Sequence, residues 1–84
     1  MAIKESIYFE KLNNTTFYIW RIKDWKLLIE IIEPGKYKLT FPEDPFIGIQ
    51  SRYYNHSALV ERLSDLFTCE YNIVKDKIRD ILIN

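Results

Sequence analysis

The stretch Lys26-Leu27-Leu28-Ile29-Glu30-Ile31-Ile32-Glu33-Pro34-Gly35-Lys36-Tyr37-Lys38-Leu39-Thr40-Phe41 decides the reading of this chain. It holds two alternating runs around a turn. In the first, Leu27, Ile29 and Ile31 share one face while Leu28, Glu30 and Ile32 share the other. In the second, Tyr37, Leu39 and Phe41 fall inward, and Lys36, Lys38 and Thr40 outward. A period of two marks a strand with one buried face. Pro34 presets φ for the first turn position and Gly35 tolerates positive φ at the second, so the two strands pair antiparallel across a short link.

Toward the N-terminus, Thr16 to Ile22 is β-branched and aromatic almost throughout and reads as a third strand, with Lys23-Asp24-Trp25 as its turn. Ile7 to Leu12 reads as a further edge strand or an ordered arm. Toward the C-terminus the period changes. Leu59, Leu63, Leu66 and Phe67 make one helical stripe, and Val74, Ile78, Ile81 and Leu82 repeat the spacing. Ser57 is the candidate cap of the first helix, and Thr68 or Asn72 of the second. Pro42 and Pro45 suit the first turn of a short helix over Phe46 to Tyr54, although Gly48 weakens it. Neither a helix pair nor a one-sided sheet buries its apolar face alone, so the two pack together. The expected fold is α+β: a three-stranded antiparallel sheet, with a candidate fourth N-terminal edge strand, then two or three helices in a winged-helix-like layout. Residues 1–84 make one domain, with a β meander over 7–41, a linker or short helix over 42–56 and a helical half over 57–83.

Composition narrows the function. Apolar residues at 48% and aromatics at 15% are enough for a real core, which excludes disorder. Twelve basic residues cancel twelve acidic ones, leaving no surplus to neutralise phosphates, so no nucleic-acid partner is expected. The lone Cys69 fits a reducing compartment. Met1 to Ser6 lacks the apolar run of an export signal, and Leu27 to Ile32 is too short to span a bilayer. A cytoplasmic chain with no membrane contact is expected.

Catalytic chemistry is thin. His56 is the sole histidine and reads as a surface residue just before a helix; with Cys69 the sole cysteine, no metal set can be assembled. Cys69 reads as a small buried residue with no base to activate it. Glu43-Asp44 is an adjacent acidic pair, better suited to a helix N-terminus than to acid–base work. Two glycines, Gly35 and Gly48, cannot build a phosphate loop. No enzyme, metal or cofactor is expected. Trp20, Trp25, Tyr53 and Tyr54 are mostly core candidates, with Trp25, in a turn, the one most exposed. Lys75, Lys77 and Arg79 alternate with Asp76 and Asp80 as on a solvated helix face.

The segment Ala58 to Phe67, followed by Val74, Ile78, Ile81 and Leu82, resembles the helical half of PqqD-like peptide chaperones, also called RiPP recognition elements. Trp25 to Leu39 looks like the strand-turn-strand that precedes it, so the resemblance covers about residues 16 to 83. The chain departs from that family at Thr40-Phe41-Pro42-Glu43-Asp44-Pro45, where the family opens a helix with Asn and small residues. The resemblance implies a domain that captures the leader segment of a precursor peptide and presents it to a modifying enzyme or protease. It implies strand addition beside Lys36, Tyr37, Lys38, Leu39 and Thr40, with a groove completed by Val74, Lys75, Ile78 and Arg79 of the last helix. The alternative expectation is a small inhibitor or adaptor, of phage or mobile-element type, that docks on a host or defence protein through Trp25 and Tyr53-Tyr54. Homo-oligomers through the sheet edge are compatible with either.

Overall fold

Five strands and two helices follow one another in a computed structural model that describes residues 7–83. Residues 1–6, the segment read for an export signal, and residue 84 lie outside the described residues. The strands are β1 (Tyr8–Asn13), β2 (Thr16–Trp20), β3 (Leu27–Glu33), β4 (Lys36–Thr40) and β5 (Ser51–Asn55); the helices are α1 (His56–Phe67) and α2 (Tyr71–Ile83). Each strand pairs antiparallel with the next, giving the spatial order β1-β2-β3-β4-β5.

The α+β class is therefore as expected, with more sheet. Ile7 to Leu12 supplies a true strand, shifted by one residue, and its turn is fixed by Asn13, whose Oδ1 accepts from the Thr15 amide at 2.9 Å. The short helix over Phe46 to Tyr54 does not form, and no third helix completes a winged-helix layout among the described residues. Two local causes oppose that helix. Asp44 Oδ1 accepts from the amides of Phe46 at 2.7 Å and Ile47 at 3.0 Å, a side-chain turn that competes with helical bonding. Gly48 sits at φ 86°, outside helical backbone.

Register puts one residue from each strand into rows beneath the helices. Lys11, Phe17, Ile29, Leu39 and Arg52 form one row, with Phe9, Ile19 and Leu27 on one side of it and Ile31, Tyr37 and Tyr54 on the other. Phe17, Ile19, Leu27, Ile29, Tyr37 and Leu39 are buried against Leu59, Val60, Leu63 and Phe67 of α1 and Val74, Ile78 and Ile81 of α2. Both expected helical stripes thus face the core, joined by Val60, with Leu66 and Leu82 at its partly buried margin. The opposite sheet face is open to solvent and mixed in character. On it Tyr8 stacks on Trp20 at 6.1 Å, Lys26 lies over the Trp20 ring at 4.3 Å, and Glu30 is opposite Lys38.

Helix α1 is capped by Asn55 rather than Ser57: Asn55 Oδ1 accepts from the Ala58 amide at 2.8 Å. The chain passes straight from β5 into α1, which holds that helix over β4 and β5. Thr68 ends α1 in the left-handed region instead of starting α2. Helix α2 packs against α1, and Lys77 reaches the Phe9 ring of β1 at 5.7 Å.

Candidate functional site

The structure removes the peptide groove expected beside β4. Lys36 to Thr40 are paired on one side with β3 and on the other with β5, from Lys36 opposite Asn55 to Thr40 opposite Ser51. With its backbone committed on both sides, β4 has no edge to offer a guest strand. Tyr37 and Leu39 point into the core, while Lys36, Lys38 and Thr40 face the open side of the sheet. Val74 and Ile78 are fully buried core residues and not the wall of a groove. Lys75 and Arg79 are exposed, and Arg79 meets Asp76 at 3.4 Å in a surface pair of small energetic weight. The helix over β4 is α1, so β4 and α2 do not frame a cleft.

The residues considered for chemistry are also placed. His56 is the first residue of α1 and half-buried, its Nδ1 3.4 Å from the Tyr37 hydroxyl. Cys69 is half-buried, its Sγ 3.7 Å from Arg21 Nη1 and 3.5 Å from the Phe67 carbonyl. Asp44 closes a turn and caps no helix. Burial raises the Tyr37 phenol above its ordinary value. Among the described residues no cluster of three or more His, Cys, Asp or Glu could hold a metal, and no helix is long and apolar enough to cross a membrane.

What the fold does assemble is an apolar end. The β2–β3 turn and the β4–β5 connection emerge at the same end of the meander, where the C-terminus of α1 also arrives. Exposure there is high: Phe46 95%, Ile47 64%, Ile49 67%, Ile22 68% and Trp25 37%. Isolated exposed hydrophobic residues need no explanation, but a contiguous group on adjoining loops does. Trp25 is a shared wall of two hollows, one reaching Ile22 and the other Ile47. One, of about 200 Å³, is lined by Arg21, Ile22, Trp25, Leu66, Phe67 and Thr68. The other, of about 180 Å³, includes Trp25, Phe41, Pro42, Ile47 and Gly48.

This end is built to hold its shape. Asp44 and Gly48 exchange backbone hydrogen bonds at 3.1 and 2.7 Å, and the Phe41 amide donates to Gln50 at 2.9 Å. With the two Asp44 side-chain bonds, these fix the loop while its apolar groups project into solvent. Trp25 leans on Phe41 at 6.4 Å, and the Arg62 guanidinium lies 5.8 Å from the Phe41 ring centroid. Charges of both signs stand on the same loops: Arg21 and Lys23 with Asp24, and Glu43 with Asp44.

Of the aromatic anchors expected from sequence, Trp25 belongs to this end. Tyr53 lies on the open sheet face, and Tyr54 packs against the core. Phe46, Ile47 and Ile49 were not anticipated, because the expected short helix would have covered part of them. Asp44-Pro45 followed by Gly48 was the available signal, since Asp, Pro and Gly together favour a turn. Compared with family models, with curated proteins and with solved structures, the chain matches none.

Proposed function

We propose that this chain is a non-catalytic binding module that docks on a partner protein through its apolar end. The observation that carries this reading is the exposure of Phe46, Ile47 and Ile49 on a loop whose backbone is tied down by Asp44. Leaving three large apolar side chains in water is unfavourable, and ordering the loop in advance reduces what association must later spend on entropy. Convex apolar side chains beside small hollows suit an interface in which each partner inserts into the other. The mixed charge on the loops of this end favours a protein over an anionic membrane or a nucleic acid, either of which selects for positive charge. A reducing cytoplasm suits the lone thiol of Cys69.

This is the inhibitor or adaptor reading with its anchors moved from Tyr53-Tyr54 to the loop beside Trp25. Leader-peptide capture beside Lys36 to Thr40 is not retained, because β5 occupies that position. Affinity capture from the native cell tests the proposal, comparing the chain with its Phe46→Ser/Ile47→Ser/Ile49→Ser variant. One protein should co-purify with the first and be lost with the second, while both give the same circular dichroism. Equal recovery with both rejects the apolar end as the docking surface. Sedimentation of the chain with anionic lipid vesicles, lost in the same variant, would assign the loop to membranes instead.

A further inference from the structure

We propose that the outer edge of β5 pairs with β5 of a second copy, antiparallel and centred on Tyr53, so that the sheet continues across a two-fold axis. This rests on a surface separate from the apolar end. Among the described residues no strand covers that edge. An uncovered strand presents a row of backbone donors and acceptors, and proteins usually blunt such edges.

The two edges of this sheet are treated differently. At β1 the register breaks between Lys11 and Asn13, which discourages pairing, and Lys11 points to the helical side of the sheet. At β5 the register with β4 is unbroken over all five residues, with no proline or glycine. Its one edge charge, Arg52, is also on the helical side.

Sequence selects the register. An antiparallel two-fold pair keeps both helical layers on one face, so each residue must face one of like orientation. Centring on Arg52 sets two guanidinium groups opposite each other. Centring on Tyr54 shortens the overlap. Centring on Tyr53 overlaps the whole strand: Ser51 faces Asn55, Arg52 faces the Tyr54 ring, and the two Tyr53 rings face each other. Polar, cation–aromatic and aromatic pairs are all favourable across neighbouring strands. Tyr53 is 60% exposed, with Lys36 already 5.3 Å from its ring centroid, so this aromatic position is available. The same axis brings α1 of the two copies side by side and antiparallel, each with Glu61, Arg62 and Asp65 exposed.

Sedimentation velocity from about 1 μM to about 1 mM tests this. The chain should pass from one to two copies within that range. Tyr53→Lys, which sets two ammonium groups face to face, should weaken association at least about tenfold with circular dichroism unchanged. In a Cys69→Ala background, Ser51→Cys and Asn55→Cys proteins should be joined by a short bismaleimide when mixed, far more than either alone. A chain that stays single throughout overturns the proposal. So does a dimer that ignores Tyr53→Lys or shows no preference for the mixed crosslink. Self-association abolished by the Phe46/Ile47/Ile49 serine variant but not by Tyr53→Lys would move the contact to the apolar end, and would revise that end's reading too.

Discussion

Arg21, one residue past β2, donates from Nη1 to the main-chain carbonyl of Phe67, the last residue of α1. The bond ties the sheet to a helix terminus whose carbonyls lack partners within the helix, and it sets a positive charge at the negative end of the helix dipole. It also forms one wall of the larger hollow at the apolar end. Packing and the proposed docking surface thus share a residue.

Arg21→Met keeps the apolar stem and removes the charged donor. Stability should fall by about 1.5–3 kcal/mol, as for hydrogen bonds to a charged group. For a domain of this size each kcal/mol lowers Tm by about 4–8 °C. Differential scanning calorimetry reads the change directly. An unchanged Tm would show that the helix end needs no such partner.

Ile78 lies in the middle of the buried stripe of α2 and is wholly inaccessible to solvent. Ile78→Ala should cost about 2–5 kcal/mol, a large part of the roughly 5–15 kcal/mol that holds a domain folded. Ile78→Asp, which introduces an unpaired charge among Leu, Ile and Phe side chains, should not fold at all. Had Ile78 lined a peptide groove, the aspartate variant would stay folded and lose only binding. A dispersed amide NMR spectrum from Ile78→Asp would therefore contradict the core described here.

The helical stripes and the strands β2 to β4 were legible because their burial has a regular period. Leu59, Leu63 and Phe67 recur at helical spacing, and Tyr37 and Leu39 at strand spacing, each pointing the same way as its neighbours. Strand β5 has no such pattern. Ser51, Arg52, Tyr53 and Asn55 are all exposed, and only Tyr54 packs on the core. An edge strand of this kind is specified by its partner's backbone and not by its own alternation. Missing it had a large consequence, because without β5 the strand Lys36–Thr40 becomes an edge and a binding site follows from it. The apolar end was hidden for the same reason: Phe46 to Ile49 make sense as a protruding loop only once β5 returns beside β4.

Tyr37 gives the fold a directional pH dependence. Its hydroxyl lies 3.4 Å from His56 Nδ1, and burial raises its pKa above 10.0. In the unfolded chain the phenol loses its proton first, so above about pH 10 the unfolded state holds fewer protons and gains ground. The Tyr37 contribution is complete below about pH 10 and declines as pH rises toward the folded-state value. Tyr37→Phe cannot titrate. Guanidinium unfolding at about pH 8, 10 and 11 should show wild type losing stability faster than Tyr37→Phe across that range. Parallel losses would mean that the phenol is not desolvated.

Thr68 is the only non-glycine residue with positive φ among the described residues, at φ 53° and ψ 45°. Its amide donates to Asp65 at 3.4 Å and the Cys69 amide to Ser64 at 3.0 Å, the paired bonds of a Schellman helix end. That motif calls for glycine, because a Cβ in left-handed backbone costs about 1–2 kcal/mol. Thr68→Gly should relieve this strain and, after the greater chain entropy of glycine when unfolded, raise stability by about 0.5–1 kcal/mol. Thr68→Ala retains a Cβ, so it should give little of the gain. Thermal melts of the two variants separate relief of backbone strain from simple loss of the exposed hydroxyl, since the second cause predicts equal effects from both.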